Sequence, residues 1–60
     1  MKTSELLKIL KANDCYFLRH GSSHDIWLSK KTGKQFAVPR HKNEVKSGTA
    51  KNILRDAGIE

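Results

Sequence analysis

Between Cys15 and Pro39 two glycine-bearing turns cut the chain into apolar runs too short for helices. Cys15 to His20 holds Tyr16, Phe17 and Leu18, and Gly21-Ser22-Ser23 interrupts it. Ile26, Trp27 and Leu28 come next, then Lys30-Lys31-Thr32-Gly33, then Gln35 to Val38 with Phe36 and Val38 on alternate positions. Runs rich in aromatic and β-branched residues, bounded by glycine and serine, read as strands. Strands are therefore expected over 16–19, 25–28 and 35–38. Gly33 can take the positive φ of a hairpin turn. Pro39 has no N–H to donate, which places it at a strand end.

Helical patterns flank this middle. Thr3 or Ser4 can cap a first helix, and Glu5 suits the positive end of its dipole. Leu6, Ile9 and Leu10 recur at helical spacing with Leu7 beside them. Asn13, which tolerates a left-handed conformation, ends this helix near Ala12. Arg40 to Lys46 reads as a polar, basic connection. Ser47 can cap a second helix with Gly48-Thr49 in its first turn. Ala50, Ile53, Leu54 and Ala57 form its apolar stripe, and Gly58 stands where a C-terminal glycine cap belongs. The expected class is α+β in the order α-β-β-β-α: a three-stranded antiparallel meander with both helices on one face.

Sixty residues bound the chain to one domain, 1–60, and 37% hydrophobic content keeps its core small. A domain of this size buries about 60% of its unfolded surface and is marginal without a partner. Cys15 is alone, so no intrachain disulfide is expected, and it reads as a small buried apolar residue. With no signal-peptide pattern, the expected setting is reducing and cytoplasmic. Nothing approaches the ~20 apolar residues of a membrane span. Three scattered histidines and one cysteine lack zinc-ligand spacing, and neither metal nor cofactor is expected.

Twelve Lys and Arg against six Asp and Glu leave a net charge of +6, which points to an anionic partner. The segment from Lys30 to Lys51 carries Lys30, Lys31, Lys34, Arg40, Lys42, Lys46 and Lys51 against Glu44. A polyanion site and a solvated lysine face both fit this run.

His24 follows the flexible Gly-Ser-Ser turn and opens the second strand, held by sheet backbone yet near solvent. Imidazole ordinarily titrates near neutrality, so it can take and return a proton. On local sequence alone, an exposed strand-edge histidine without a role is the commoner case. His20 and His41 read as solvated surface residues. Asp25 adjoins His24, but neighbouring strand residues point to opposite faces, which argues against their pairing. Tyr16 and Trp27 read as packing, with base stacking as the alternative.

The chain resembles the HicA family of small toxins, the mRNA interferases of bacterial and archaeal toxin–antitoxin pairs. The resemblance runs through the short first helix, the Gly/Ser turn leading to His24 and Trp27, Phe36-Ala37-Val38-Pro39 followed by His41, Gly48-Thr49, and the closing Ile53-Leu54-Arg55-Asp56-Ala57-Gly58-Ile59. It implies a fold like that of a double-stranded RNA-binding domain, ribosome-independent cleavage of RNA, a catalytic histidine at His24, and inhibition by a HicB-type antitoxin. Two positions depart from the family pattern. Ser22 stands where such proteins carry glycine, and the turn after Trp27 is rich in lysine rather than of the Pro-Asp-Gly type.

The chemistry expected from these residues is metal-independent cleavage of mRNA by internal attack of a ribose 2′-OH, with His24 as acid–base group. Lys34, Arg40, Lys46 and Lys51 are the candidates for holding phosphate. Lys46 and Lys51 flank the start of the second helix, whose free N–H groups can also receive an anion. The alternative from a different class is a non-catalytic RNA-binding module.

Overall fold

A computed structural model describes residues 1–59. Its elements follow the expected order: α1 (Thr3–Ala12), β1 (Cys15–His20), β2 (His24–Ser29), β3 (Gln35–Pro39) and α2 (Ser47–Asp56). The strands form one antiparallel sheet in the order β1-β2-β3.

Strand alternation decides which face is covered. Trp27 lies opposite Phe36, and Asp25 opposite Val38, so Trp27, Phe36 and Val38 share a face. All three are buried, together with Leu6 and Leu10 of α1 and Ala50 and Ile53 of α2. A single cluster containing the inner residues of sheet and helices puts both helices on the same side. Tyr16, Ile26, Leu28 and Ala37 occupy the other side, where no element covers them. Tyr16 is thus exposed rather than packed, with the Lys30 ammonium 5.7 Å from its ring centroid.

Three local expectations give way to tertiary contacts. Neither Thr3, Ser4 nor Ser47 caps a helix; Lys2 and Lys46 hold the two cap positions without side-chain hydrogen bonds. The Thr3 hydroxyl instead donates to the Lys42 carbonyl at 2.6 Å, and the Thr3 N–H donates to the Asn43 carbonyl at 2.9 Å. The connection after β3 therefore closes the start of α1. The same connection is less polar than it reads, because Val45 is buried and its N–H donates to the Met1 carbonyl at 2.8 Å. Finally, Asp14, not Asn13, adopts positive φ, at 62°. The Asn13 amide donates to the Ile9 carbonyl at 2.8 Å, satisfying one of the free carbonyls at the end of α1.

The C-terminus of α2 behaves as a glycine-terminated helix should. Gly58 takes φ 79°, its N–H reaches the Arg55 carbonyl at 3.1 Å, and the Ile59 N–H reaches the Leu54 carbonyl at 2.9 Å. That is the paired bonding of a Schellman cap, with Leu54 and Ile59 both packed on the core. The β2–β3 turn clasps this end. The buried Ser29 hydroxyl donates to the Ala57 carbonyl at 2.8 Å, and the Thr32 hydroxyl donates to the Asp56 carbonyl at 2.7 Å. A Cβ at Gly58 would lie 2.8 Å from the Thr32 methyl. Gly58→Ala is therefore expected to lower stability by about 1–3 kcal/mol through positive φ and this contact. The urea midpoint should fall at unchanged slope; an unaltered midpoint would mean the Thr32 arm yields freely.

Candidate active site

Because α2 ends beside the β2–β3 turn, it must begin at the opposite end of the sheet. That is the end where His24 opens β2 and Pro39 closes β3, directly across from each other. The candidate base, the start of α2 and the basic connection thus share one end of the sheet, with the His24 side chain on the face that the helices leave uncovered.

The turn preceding His24 is tight. The Gly21 N–H donates to the His24 carbonyl at 2.6 Å, and a Cβ on Gly21 would stand 2.9 Å from that oxygen. Both atoms at this approach belong to backbone, so only glycine fits without displacing His24. The turn therefore needs its glycine at position 21, while Ser22, one residue on, is exposed. The His24 side chain is also exposed, and the Ser23 hydroxyl lies 3.2 Å from its Nδ1. No described residue hydrogen-bonds Nε2, which leaves that nitrogen to exchange a proton with a bound molecule.

Asp25 turns to the other face, as alternation requires. One of its oxygens lies 2.8 Å from His20 Nδ1 and 3.6 Å from Arg40 Nη1. The same guanidinium donates to the Ser22 carbonyl at 3.1 Å and to His41 Nε2 at 3.3 Å. Arg40, expected on a phosphate, is thus half-buried and ties β3's end to the turn carrying His24. A guanidinium suits this task because its fork of donors serves several acceptors at once.

The four cations named from sequence do not gather in one place. Lys46 joins Pro39, Lys42, Glu44 and Thr49 around a surface depression at the start of α2. Lys51 is exposed one turn along the helix, about 6 Å further down its axis. Lys34 lies five residues from Pro39 on the same hairpin arm, about 17 Å away along an extended strand. The hairpin therefore carries Lys34 to the far end of the sheet, with Lys30 and Lys31. Lys42, not among those four, lies with Lys46 at the end of the sheet where Pro39 closes β3. The signal for this lay in register: once His24 pairs with Pro39, the residues just after Pro39 must share its end.

The described residues contain no cluster of three or more His, Cys, Asp or Glu able to hold a metal ion. No helix among them is long and apolar enough to cross a membrane. No curated protein and no solved structure gives a significant match to the chain. A family model described as the HicA toxin of bacterial toxin–antitoxin systems matches residues 3–59, which spans both helices, the whole sheet and the turn that presents His24. The chain belongs to the HicA family of toxins.

Proposed function

We propose that this toxin acts on RNA, and that His24 is the acid–base group of an mRNA interferase. One observation carries the reading: an exposed imidazole, with Nε2 uncommitted, opens β2 at the end of the sheet where α2 begins and where Lys42 and Lys46 lie.

In the proposed reaction the ribose 2′-oxygen attacks the neighbouring phosphorus while His24 Nε2 takes its proton. The bond from phosphorus to the 5′-oxygen breaks, and the departing oxygen receives a proton. The products are a 2′,3′-cyclic phosphate and a 5′-hydroxyl, with no water, metal or oxidant consumed. Negative charge builds on the phosphoryl oxygens, and basic side chains at this end of the sheet, Lys46 among the candidates, offset it. Arg40 contributes partly by fixing the turn and partly by its charge. Lys34 serves RNA running along the sheet rather than the reacting phosphate.

The purified toxin should cut ribose RNA with chelator present and leave those two end groups. It should spare an RNA carrying 2′-deoxyribose at the cut position. Cleavage that needs magnesium, or that persists at a 2′-deoxy position, would refute this route. RNA bound for hours but uncut would favour the non-catalytic binding module. The proposed protein partner is a HicB-type antitoxin with an acidic surface covering this basic end. Its association should weaken as salt rises, since exposed charge pairing is screened over about 8–10 Å at physiological ionic strength.

A further inference from the structure

A second recess opens on the helix-facing side of the β1–β2 hairpin, beyond the cover that α1 provides. Lys11, Phe17, His20, Asp25 and Trp27 line it, and its volume is about 360 Å³. That is at the small end of ligand sites, enough for a flat heterocycle and too little for a duplex.

The recess exists because β1 is only partly covered. Cys15 is buried, whereas Phe17, two residues on along the same face, is 42% exposed. Between Phe17 and Arg19 the register slips by one residue. Such a bulge increases local twist and turns the strand end away from its neighbours. His20 ends that strand beside Phe17, their ring centroids 4.9 Å apart and tilted by 57°. Trp27 supports Phe17 from within, edge to face at 6.5 Å. An aromatic left this open, in a chain with four aromatic rings and ten buried core residues, is surface withheld from packing.

Polar groups with spare capacity surround it. Asp25 uses one carboxylate oxygen for His20 and Arg40; the other has no partner among the described residues. Lys11 contributes an exposed ammonium at the rim.

We infer that this recess receives one unpaired nucleobase of the bound RNA, stacked on Phe17. The inference rests on the RNA reading above and adds to it the source of base preference. Asp25 and His24 leave opposite faces of β2, so a base at Asp25 lies round the end of the sheet from a phosphate at His24. Single-stranded RNA is generally read in this way, by stacking on aromatic rings and hydrogen bonds to base edges. A free carboxylate oxygen accepts from an exocyclic amino group. Cytosine, adenine or guanine is therefore favoured there over uracil, which has none.

The test is binding of RNA hexanucleotides carrying 2′-O-methyl groups throughout, so that no 2′-hydroxyl is free to attack and cleavage does not enter the readout. An abasic residue is moved through each position, against wild type, Phe17→Ala and Phe17→Trp, by fluorescence anisotropy. In wild type one position should lose about tenfold in affinity when abasic, the worth of one stacked base. Phe17→Ala should bind the intact RNA about tenfold more weakly and show no further loss at that position. Phe17→Trp should restore both. Uracil at that position should bind more weakly than adenine or cytosine. Equal abasic penalties in wild type and Phe17→Ala would overturn the inference, as would intact RNA binding that ignores Phe17. Should Phe17→Ala not fold, a flat abasic scan in the wild type overturns it by itself. If the coupling is found but ribose RNA is never cut, the recess stands and the nuclease reading falls; if no RNA binds, both fall.

Discussion

The His24→Ala toxin is expected to cut RNA about 10²–10⁴-fold more slowly than wild type, the usual contribution of a positioned acid–base group. It should also lose the ability to arrest growth when induced in cells without antitoxin. Folding should survive the change. Among the described residues the only side-chain hydrogen bond of His24 is with the exposed Ser23 hydroxyl, and its backbone carbonyl, which accepts from Gly21, is retained. Substitutions at such exposed sites usually stay within ±0.5 kcal/mol. Matched melting curves with divergent cleavage of labelled RNA would assign the loss to chemistry. Cleavage at the wild-type rate would remove His24 from the mechanism, and with it the reason for placing the active site at this end of the sheet.

The imidazole was legible because its cue is local. A Gly-Ser-Ser turn and an apolar pair two and three residues on are enough to start a strand at His24. The glycine cap of α2 was legible for the same reason, since a helix stripe that stops at Ala57 followed by glycine has one ordinary geometry. Helix starts were legible to within a residue or two, but what caps them was not. Thr3 and Ser47 have the right side chains for capping, but the segment from Lys42 to Val45 folds back on Met1 to Thr3 and supplies backbone partners instead. That long-range pairing has no signature in either stretch read alone. Val45 escaped notice likewise, as a lone apolar residue among lysines that the fold nonetheless buries.

The four named cations are spread by a different cause. Proximity in sequence grouped Lys34 with Arg40, yet a hairpin strand converts five residues into about 17 Å. Charge counting sees composition and is blind to which end of a strand a residue occupies. Register would have separated them, and it would also have placed His20 opposite Asp25. Arg40 adds a further point. Its charge suggests phosphate, but with Asp25, Ser22 and His41 in reach the guanidinium holds together the two sides of the turn.

The Leu10→Ala toxin is expected to be largely unfolded on its own. Leu10 is fully buried, as is Leu6 one turn earlier, and together they anchor α1 to the shared core. Removing a leucine side chain from such a site costs about 2–5 kcal/mol in lost burial and residual cavity. Native stability runs at about 0.05–0.15 kcal/mol per residue, so a 60-residue chain has about 3–9 kcal/mol in all. The loss is therefore comparable with the whole. Only the nine other buried residues of this cluster, Trp27 and Phe36 among them, could relax into the gap. Far-UV circular dichroism against urea should show a midpoint near zero denaturant for Leu10→Ala and a resolved transition for wild type. Antitoxin that binds only the folded toxin should restore the transition in proportion to the logarithm of its concentration. A midpoint within experimental scatter of wild type would mean that α1 is not held by this core, and then nothing would anchor the connection from Lys42 to Val45 that completes the His24 end of the sheet.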